Sequence, residues 1–279
     1  RDVNTVATYV RQAVLSGEQG RRLMPNDVMA AESLALIYEN SAVYASDALP
    51  KAEELYGRAH ELEPRNPLFY LKLGQIKRVN GDAKPEGAER TALFNEARDF
   101  YQKAIDEKSN LAIAHYNLAV IEARLKETDK AIDSATQALN IDQQNLNYRY
   151  NLGVLYQLRA KDGDEKKAED IFMNILSAKD NLIDVRLSLG LLYEKQGKRD
   201  DALKEYQKIL DLLPADAEGN VKETRTQVEK LIENVRSGVG NLKNQAAALP
   251  VTEETSGTEP VVPVVPVGPN TSPLTEPGN

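Results

Sequence analysis

Large apolar, small and polar residues recur along most of the chain with a spacing that predicts pairs of short amphipathic helices. The clearest pair occupies residues 183–216. The residues expected to pack the two helices together are Leu189, Gly190, Tyr193, Ala202, Tyr206 and Ile209. Because Gly190 and Ala202 have almost no side chain, the helices can cross closely. Pro214 lacks the amide hydrogen that a continuing helix needs, so the pair ends there.

These positions resemble the tetratricopeptide repeat, a unit of about 34 residues whose two helices are called helix A and helix B. The same register can be followed through five units, predicted at residues 28–66, 67–111, 112–145, 146–182 and 183–216. The resemblance implies an all-α, right-handed α-solenoid in which helix A lines a concave groove. It also implies an interaction scaffold, since repeats of this family bind other proteins through that groove.

Both ends of the repeat array are expected to be capped. Residues 1–27 are predicted to form a degenerate repeat or N-terminal cap, with Ala13 at a small packing position and Pro25 stopping the helix. Residues 217–240 are predicted to form a C-terminal capping helix, which would cover the last apolar face of the array. Its apolar stripe consists of Val228, Leu231, Ile232 and Val235.

Two segments depart from the helical pattern. An insert in the second repeat, at about residues 79–89, contains Gly81, Pro85 and Gly87 and is predicted to be a loop. Residues 246–279 contain seven of the thirteen prolines, no Lys or Arg and no periodic apolar face. They are predicted to form a disordered, Pro-rich, acidic tail. Its PVVPVVP segment is either a spacer or a ligand for SH3-like domains.

Composition and charge narrow the classes of function. The 279 residues carry a formal net charge of -8, which disfavours binding to nucleic acid or to an anionic membrane surface. The absence of cysteine excludes disulfides, thiol catalysis and thiolate metal sites. No apolar run approaches the roughly 18 residues of a membrane span, so we expect no direct membrane insertion. Because the chain starts at Arg1 inside a helical pattern, we expect a fragment or a processed product, and the compartment is left open.

Residue types that support chemistry do not cluster. His60 and His115 lie in different repeats, with no carboxylate or second histidine at a metal-ligand spacing. Asp162, Asp164 and Glu165 lack the alternation of a calcium loop and are interpreted as a solvated turn with a helix N-cap. Phosphate-binding loops, exposed-serine elbows and zinc-protease helices are absent from the sequence. We therefore expect no catalytic residue, no metal and no cofactor.

The repeat register also predicts a binding surface, because positions two, five, six, nine and twelve of each helix A face the groove. The residues are Leu71, Gln75, Arg78, Tyr116, Asn117, Val120, Asn147, Tyr150, Asn151, Val154, Gln157, Leu187, Leu191 and Glu194. Tyr116 and Tyr150 are equivalent, and each is followed by an asparagine. They could anchor a peptide while the asparagine amides pair with its backbone. They could equally pack within the array.

One subtype of the family is not expected here. A carboxylate clamp needs Lys and Asn at positions five and nine of one helix A, whereas position five is Glu32, Leu71, Tyr116, Tyr150 or Leu187. We expect a non-catalytic scaffold that binds a protein or peptide. The alternative is a soluble accessory domain of a larger bacterial envelope enzyme of the surface-polysaccharide ligase or polymerase type. That alternative follows from a similarity in arrangement to the soluble repeat region of O-antigen-ligase-like proteins.

Overall fold

The computed structural model describes residues 3–216 and 218–238, and the regular structure of these residues is entirely helical. The first helices are α1 (Val3–Leu23), α2 (Val28–Ser41), α3 (Ala48–Leu62), α4 (Pro67–Asp82), α5 (Ala88–Glu107) and α6 (Ala112–Arg124). They are followed by α7 (Thr128–Ile141), α8 (Leu146–Arg159), α9 (Asp164–Ala178), α10 (Ile183–Lys195), α11 (Arg199–Leu212) and α12 (Gly219–Ser237). The predicted all-α fold is confirmed. The tail predicted at residues 246–279 lies outside the described residues.

The described residues divide into two compact units, one ending at Leu125 and the other beginning at Lys126. Within each unit, every helix packs against the next one along the chain. Each predicted repeat contains two of the helices, and the boundaries between repeats stay a prediction. The first helices of the predicted repeats, called helix A, are α2, α4 and α6 in the first unit and α8 and α10 in the second unit.

Close crossings between helix A and helix B depend on glycine, as the sequence predicted. A Cβ atom on Gly74 would lie 2.6 Å from Cε1 of Tyr101, and a Cβ atom on Gly153 would lie 2.6 Å from Cε1 of Phe172. Gly190 has the same relationship to Tyr206. In each case a fully buried aromatic ring of helix B lies directly against the backbone of helix A. The repeated pairing of glycine with an aromatic residue therefore fixes how closely the helices approach.

The insert in the second predicted repeat forms a shorter loop than the sequence suggested. Helix α4 continues to Asp82 and α5 begins at Ala88, so the connection is only residues 83–87. Gly81 is buried inside α4, where a Cβ atom would lie 2.6 Å from Cε1 of Phe94. The loop prediction was wrong for residues 79–82 and 88–89, which are helical, because Gly81 serves helix packing rather than chain reversal. Pro85 and Gly87 do lie in the connection, as predicted. The extra residues lengthen both helices of this pair.

The first and last helices differ in how they pack. In α1, Ala13 is exposed, and Gly17 lies against Leu34 instead. The prediction that Ala13 fills a packing position was therefore wrong. In α12, the predicted stripe is buried in one cluster with Tyr206 and Ile209 of α11. Arg225 fixes the connection by donating from Nη1 to the carbonyl oxygens of Leu210 and Leu213, at 3.2 and 3.0 Å.

Candidate functional site

The predicted surface residues of the first unit are mostly part of the core. Leu71, Tyr116, Asn117 and Val120 are all buried. Gln75 and Arg78 are half-buried, and Arg78 forms an ion pair with Asp82 at 3.0 Å. Nδ2 of Asn117 is buried with no hydrogen-bond partner among the described residues. Leu71, Tyr116, Asn117 and Val120 therefore contribute to packing between helices.

The second unit shows the same division between buried and half-buried positions. Tyr150, Asn151 and Val154 are buried, whereas the other predicted residues of this unit are half-buried: Asn147, Gln157, Leu187, Leu191 and Glu194. Leu187 and Leu191 pack against the cluster formed by α11 and α12. Nδ2 of Asn151 donates to the carbonyl oxygen of Asn147 at 2.8 Å, so this amide bonds within its own helix.

Tyr150 has both structural and surface contacts. Its ring centroid lies 5.8 Å from that of Phe172 in α9, and its hydroxyl oxygen lies 2.9 Å from the hydroxyl oxygen of Ser188 in α10. The side chain is 8% exposed. Tyr150 of α8 therefore contacts both α9 and α10 and is almost fully buried. Whether Tyr116 and Tyr150 contact a ligand stays a prediction.

In the first and fifth predicted repeats, position twelve of helix A is bonded to a tyrosine of helix B. The Tyr206 hydroxyl donates to Glu194 at 2.8 Å, and the Tyr56 hydroxyl donates to Glu39 at 2.6 Å. Burial, followed by these hydrogen bonds, raises the pKa of both tyrosines well above the ordinary value. In the fourth predicted repeat helix B carries Phe172, which has no hydroxyl. Its position twelve, Gln157, donates instead to the Ser188 carbonyl oxygen at 3.1 Å.

A cavity of about 320 Å³ lies where α8 and α10 begin, and it contains two of the predicted residues. Asn147 and Tyr150 contribute from α8, and Asp184 and Val185 contribute from α10. The remaining lining residues are Gln144, Asn145, Leu146, Lys179, Leu182 and Ile183. The lining combines aliphatic walls with amides, one carboxylate and one ammonium group. Such a mixture of apolar area and few polar groups is typical of binding sites.

Local capping explains how the α8 side of this cavity is held. The Asn145 side chain accepts hydrogen bonds from the backbone N–H groups of Asn147 and Tyr148, at 3.1 and 3.2 Å. Nδ2 of Asn145 donates to the Asp142 carboxylate at 3.2 Å. The first turn of α8 is therefore fixed by a residue that itself lines the cavity.

Asp184 is a lining residue that the sequence-based surface did not include. It is the second residue of α10 and so is equivalent to Asn147 of α8, which is the signal that identifies it. Burial raises the pKa of its carboxyl group and is the sole cause of that shift. Lys179 lines the same cavity from the end of α9, but its ammonium is exposed and does not offset this effect.

Exposed apolar residues on helix A of the first unit were also missed. Met29 and Leu36 of α2 are 74% and 46% exposed, and Leu68 of α4 is 50% exposed. They occupy positions two and nine of the predicted repeats, which are groove positions. The sequence-based surface began at Leu71 and therefore left them out.

A second depression, of about 500 Å³, lies between α11 and α12. Leu210 and Ile232 contribute apolar area, and Glu229, Glu233 and Arg236 contribute charge. It contains none of the predicted residues and no helix A position, so the cavity at α8 and α10 is the stronger candidate.

The residues considered for metal or calcium binding have structural contacts. The ring centroid of His60 lies 4.5 Å from that of Tyr70, and Nε2 of His115 lies 2.9 Å from the Ser109 carbonyl oxygen. The turn before α9 is not fully solvated, since Asp164 is only 1% exposed. The expectation of a solvated turn is met at Asp162, which is exposed, and was wrong for Asp164, because Arg159 covers its carboxylate. Among residues 3–216 and 218–238, no group of three or more potential ligands is placed to hold a metal ion.

Comparisons with known proteins agree with this architecture. The family described as tetratricopeptide repeat matches residues 88–146 and residues 183–216. A comparison with curated protein sequences found no match. None of the helices in the described ranges is long and apolar enough to cross a membrane.

Solved structures of repeat proteins resemble the chain. A MamA crystal structure is 26% identical, covers 63% of this chain and 94% of its own, and has a TM-score of 0.52. YrrB, described as a TPR protein with an unusual peptide-binding site, is 17% identical, with 78% and 100% coverage and a TM-score of 0.55. The Cut9–Hcn1 structure is 16% identical, covers 82% of this chain and 40% of its own, and has a TM-score of 0.58.

Proposed function

Because the chain is a tetratricopeptide-repeat protein, we propose that it is a non-catalytic scaffold that binds a protein or peptide along its helix A surface. Within the second unit, we place the contact at the cavity where α8 and α10 begin. The observation that carries this proposal is that the cavity brings together Asn147 and Tyr150 of α8 with Asp184 of α10.

The size and lining of the cavity support a peptide side chain as the ligand. A volume of about 320 Å³ is at the small end of the roughly 300 to 1,000 Å³ of small-molecule sites, so it accommodates one side chain better than a large cofactor. Aliphatic walls from Leu146, Leu182 and Val185 supply apolar contact. Amides from Gln144 and Asn147 can bond the peptide backbone on either side.

The structural role of Tyr150 changes how its contribution should be interpreted. Since its ring is buried against Phe172, its main contribution to binding is to shape one wall of the cavity. Groups nearer the entrance, such as the Asn147 amide, then determine affinity and orientation. A variant at Asn147 is therefore a better test of binding than one at Tyr150.

The experiment begins with selection of peptides from a random display library on the full chain. Affinity of one selected peptide is then measured by calorimetry for the wild type, for Asn147→Arg and for Asn140→Arg. Asn140 is an exposed residue of α7 outside the cavity and serves as the matched control. We expect Asn147→Arg to weaken binding at least about tenfold, equal to about 1.4 kcal/mol, while both variants melt near the wild type.

Two results would overturn this proposal. The first is the absence of any selected peptide above background. The second is unchanged peptide affinity in Asn147→Arg. In that case Leu36→Arg is measured as well, and loss of binding in this variant would place the contact at the exposed apolar residues of the first unit.

A further inference from the structure

The carboxylate of Asp184 lies in an unusual position for a charged group. It is half-buried in the first turn of α10, where it lines the cavity beside the aliphatic residues Leu182, Ile183 and Val185. No hydrogen bond or ion pair satisfies its side chain within the described ranges, and burial accordingly raises its pKa. Partial burial without a partner raises the free energy of the charged form of this carboxylate.

The two buried acidic residues in the described part of the same unit are compensated, which sets Asp184 apart from them. Glu205 pairs with Arg186 at 2.6 Å, and Asp164 pairs with Arg159 at 2.7 Å. Lys179 is the other charged residue that lines the cavity, but its side chain extends into solvent and forms no ion pair with Asp184. The cavity lining thus has one half-buried anionic group and one exposed cationic group.

We propose that the cavity binds a Lys or Arg side chain of a partner peptide, with the cationic end paired to the Asp184 carboxylate. The inference rests on the proposed function and specifies the chemistry of the partner. The aliphatic part of a Lys or Arg side chain fits the walls formed by Leu146 and Leu182, since these long side chains commonly bury their methylene groups. The cationic end supplies the charge-assisted hydrogen bond that the carboxylate lacks.

Alternative side chains fit the cavity less well. An apolar side chain would complete the burial of the carboxylate without giving it a partner, which costs free energy. An acidic side chain would place a second negative charge beside Asp184. An acidic side chain could pair with Lys179, but it would then share the cavity with the Asp184 carboxylate, whose negative charge would oppose it.

The test measures the coupling between one peptide residue and Asp184. Peptides are selected from a random library on the full chain, and a binder is synthesised with its most conserved basic residue replaced by norleucine. Both peptides are titrated against the wild type, Asp184→Asn and Asp180→Asn. Asp180 is an exposed carboxylate just before α10 that does not line the cavity, so it is the matched control.

We expect a basic residue at one fixed position of the selected peptides. Its replacement by norleucine should weaken binding to the wild type and to Asp180→Asn about tenfold or more, and binding to Asp184→Asn less than twofold. Asp184→Asn should melt near the wild type, because the half-buried carboxylate forms no hydrogen bond or ion pair within the described ranges. Lys179→Gln should leave binding of the basic peptide equal or stronger.

The outcomes separate this inference from the proposed function. Peptides that bind through Asn147 but show no basic preference would overturn the inference and leave the proposed function intact. An equal loss with norleucine in the wild type and Asp184→Asn would also overturn it, since the cation would then pair elsewhere. Failure to select any peptide would overturn both.

Discussion

Arg159, the last residue of α8, forms two parallel hydrogen bonds with Asp164, the first residue of α9. Nε donates to Oδ2 at 2.8 Å and Nη2 donates to Oδ1 at 2.7 Å. The backbone N–H of Lys161 also donates to Oδ2, at 2.9 Å. The ion pair therefore closes the turn between helix A and helix B across only four residues. Ala160 and Gly163, with φ of 53° and 79°, make the tight reversal possible.

Replacement of Asp164 by Asn should destabilise the second unit and remove a pH dependence. Hydrogen bonds from Arg159 lower the pKa of Asp164 to about 2. The stabilisation is therefore present above the ordinary Asp pKa of 3.8 and is lost as pH falls through about 2. Allowing for solvent screening, we expect a loss of about 1 to 2 kcal/mol at pH 7. Urea unfolding of the wild type and Asp164→Asn at several pH values measures this difference in the free energy of unfolding.

Asp162 provides the control for this experiment, because it is exposed in the same turn. Asp162→Asn should change the free energy of unfolding by less than about 0.5 kcal/mol. Equal effects of the two variants at pH 7 would show that the turn, rather than the ion pair, is responsible.

Substitution of helix A glycines should separate close packing from helix propensity. Gly153→Ala places a Cβ atom against Phe172 and also 3.0 Å from Cγ2 of Ile171. We expect a loss of about 1 to 3 kcal/mol from this overpacking, and more for Gly153→Leu and Ala168→Leu. Gly57→Ala in α3 meets no atom within 4 Å and should instead stabilise by roughly 0.5 to 1 kcal/mol.

Thermal melting of these variants checks the packing register. Gly163→Ala, in the turn before α9, would not be a neutral control for Gly153→Ala. The φ of 79° at Gly163 strains any residue with a side chain by about 1 to 2 kcal/mol. A Gly153→Ala variant as stable as Gly57→Ala would contradict the close crossing of α8 and α9.

Variants of Tyr150 should show whether its contribution is structural. Tyr150→Ala removes a buried ring in contact with Phe172, and we expect a loss of about 3 to 5 kcal/mol. Tyr150→Phe removes only the hydroxyl near Ser188 and should cost about 0.5 to 1.5 kcal/mol. Chemical unfolding and peptide affinity are measured on the same samples. Full stability of Tyr150→Ala with loss of binding would identify a ligand anchor instead.

The packing of α12 predicts strong effects of changes on its buried face. Val228 is fully buried in a cluster with Tyr206 and Ile209. Val228→Asp should destabilise the second unit by several kcal/mol, about 3 or more, and promote aggregation by exposing the face of α11. Glu233→Gln on the exposed face should leave melting and light scattering unchanged. Equal behaviour of the two variants would mean that α12 does not cover α11.

The helix packing was predictable because it depends on residue size at fixed spacing. Gly190 and Tyr206 were both recognised as packing residues, and the structure places one against the other. The length of α4 was not predictable in this way, since Gly81 is equally compatible with a turn. Only the contact of Gly81 with Phe94 in the next helix shows that Gly81 lies inside a helix and not in a turn.

The candidate site was less predictable, because charge pairing depends on neighbours from other helices. The register identified Glu194 as a surface residue but not its bond with Tyr206. It identified Asn147, whereas the importance of Asp184 depends on the aliphatic residues that bury it. The burial of Asp164 depends in the same way on the conformation of the Arg159 side chain.

The hydrogen bonds made by the Tyr56 and Tyr206 hydroxyls allow unfolding of the chain to be followed by ultraviolet absorbance. With twelve tyrosines, four phenylalanines and no tryptophan, its near-ultraviolet absorbance is dominated by phenol groups. Burial and the bonds to Glu39 and Glu194 raise the pKa of these two residues. Their stabilisation is present below about pH 10 and is lost as pH rises. In an alkaline spectrophotometric titration, both phenols should therefore form phenolate only as the helix pairs separate.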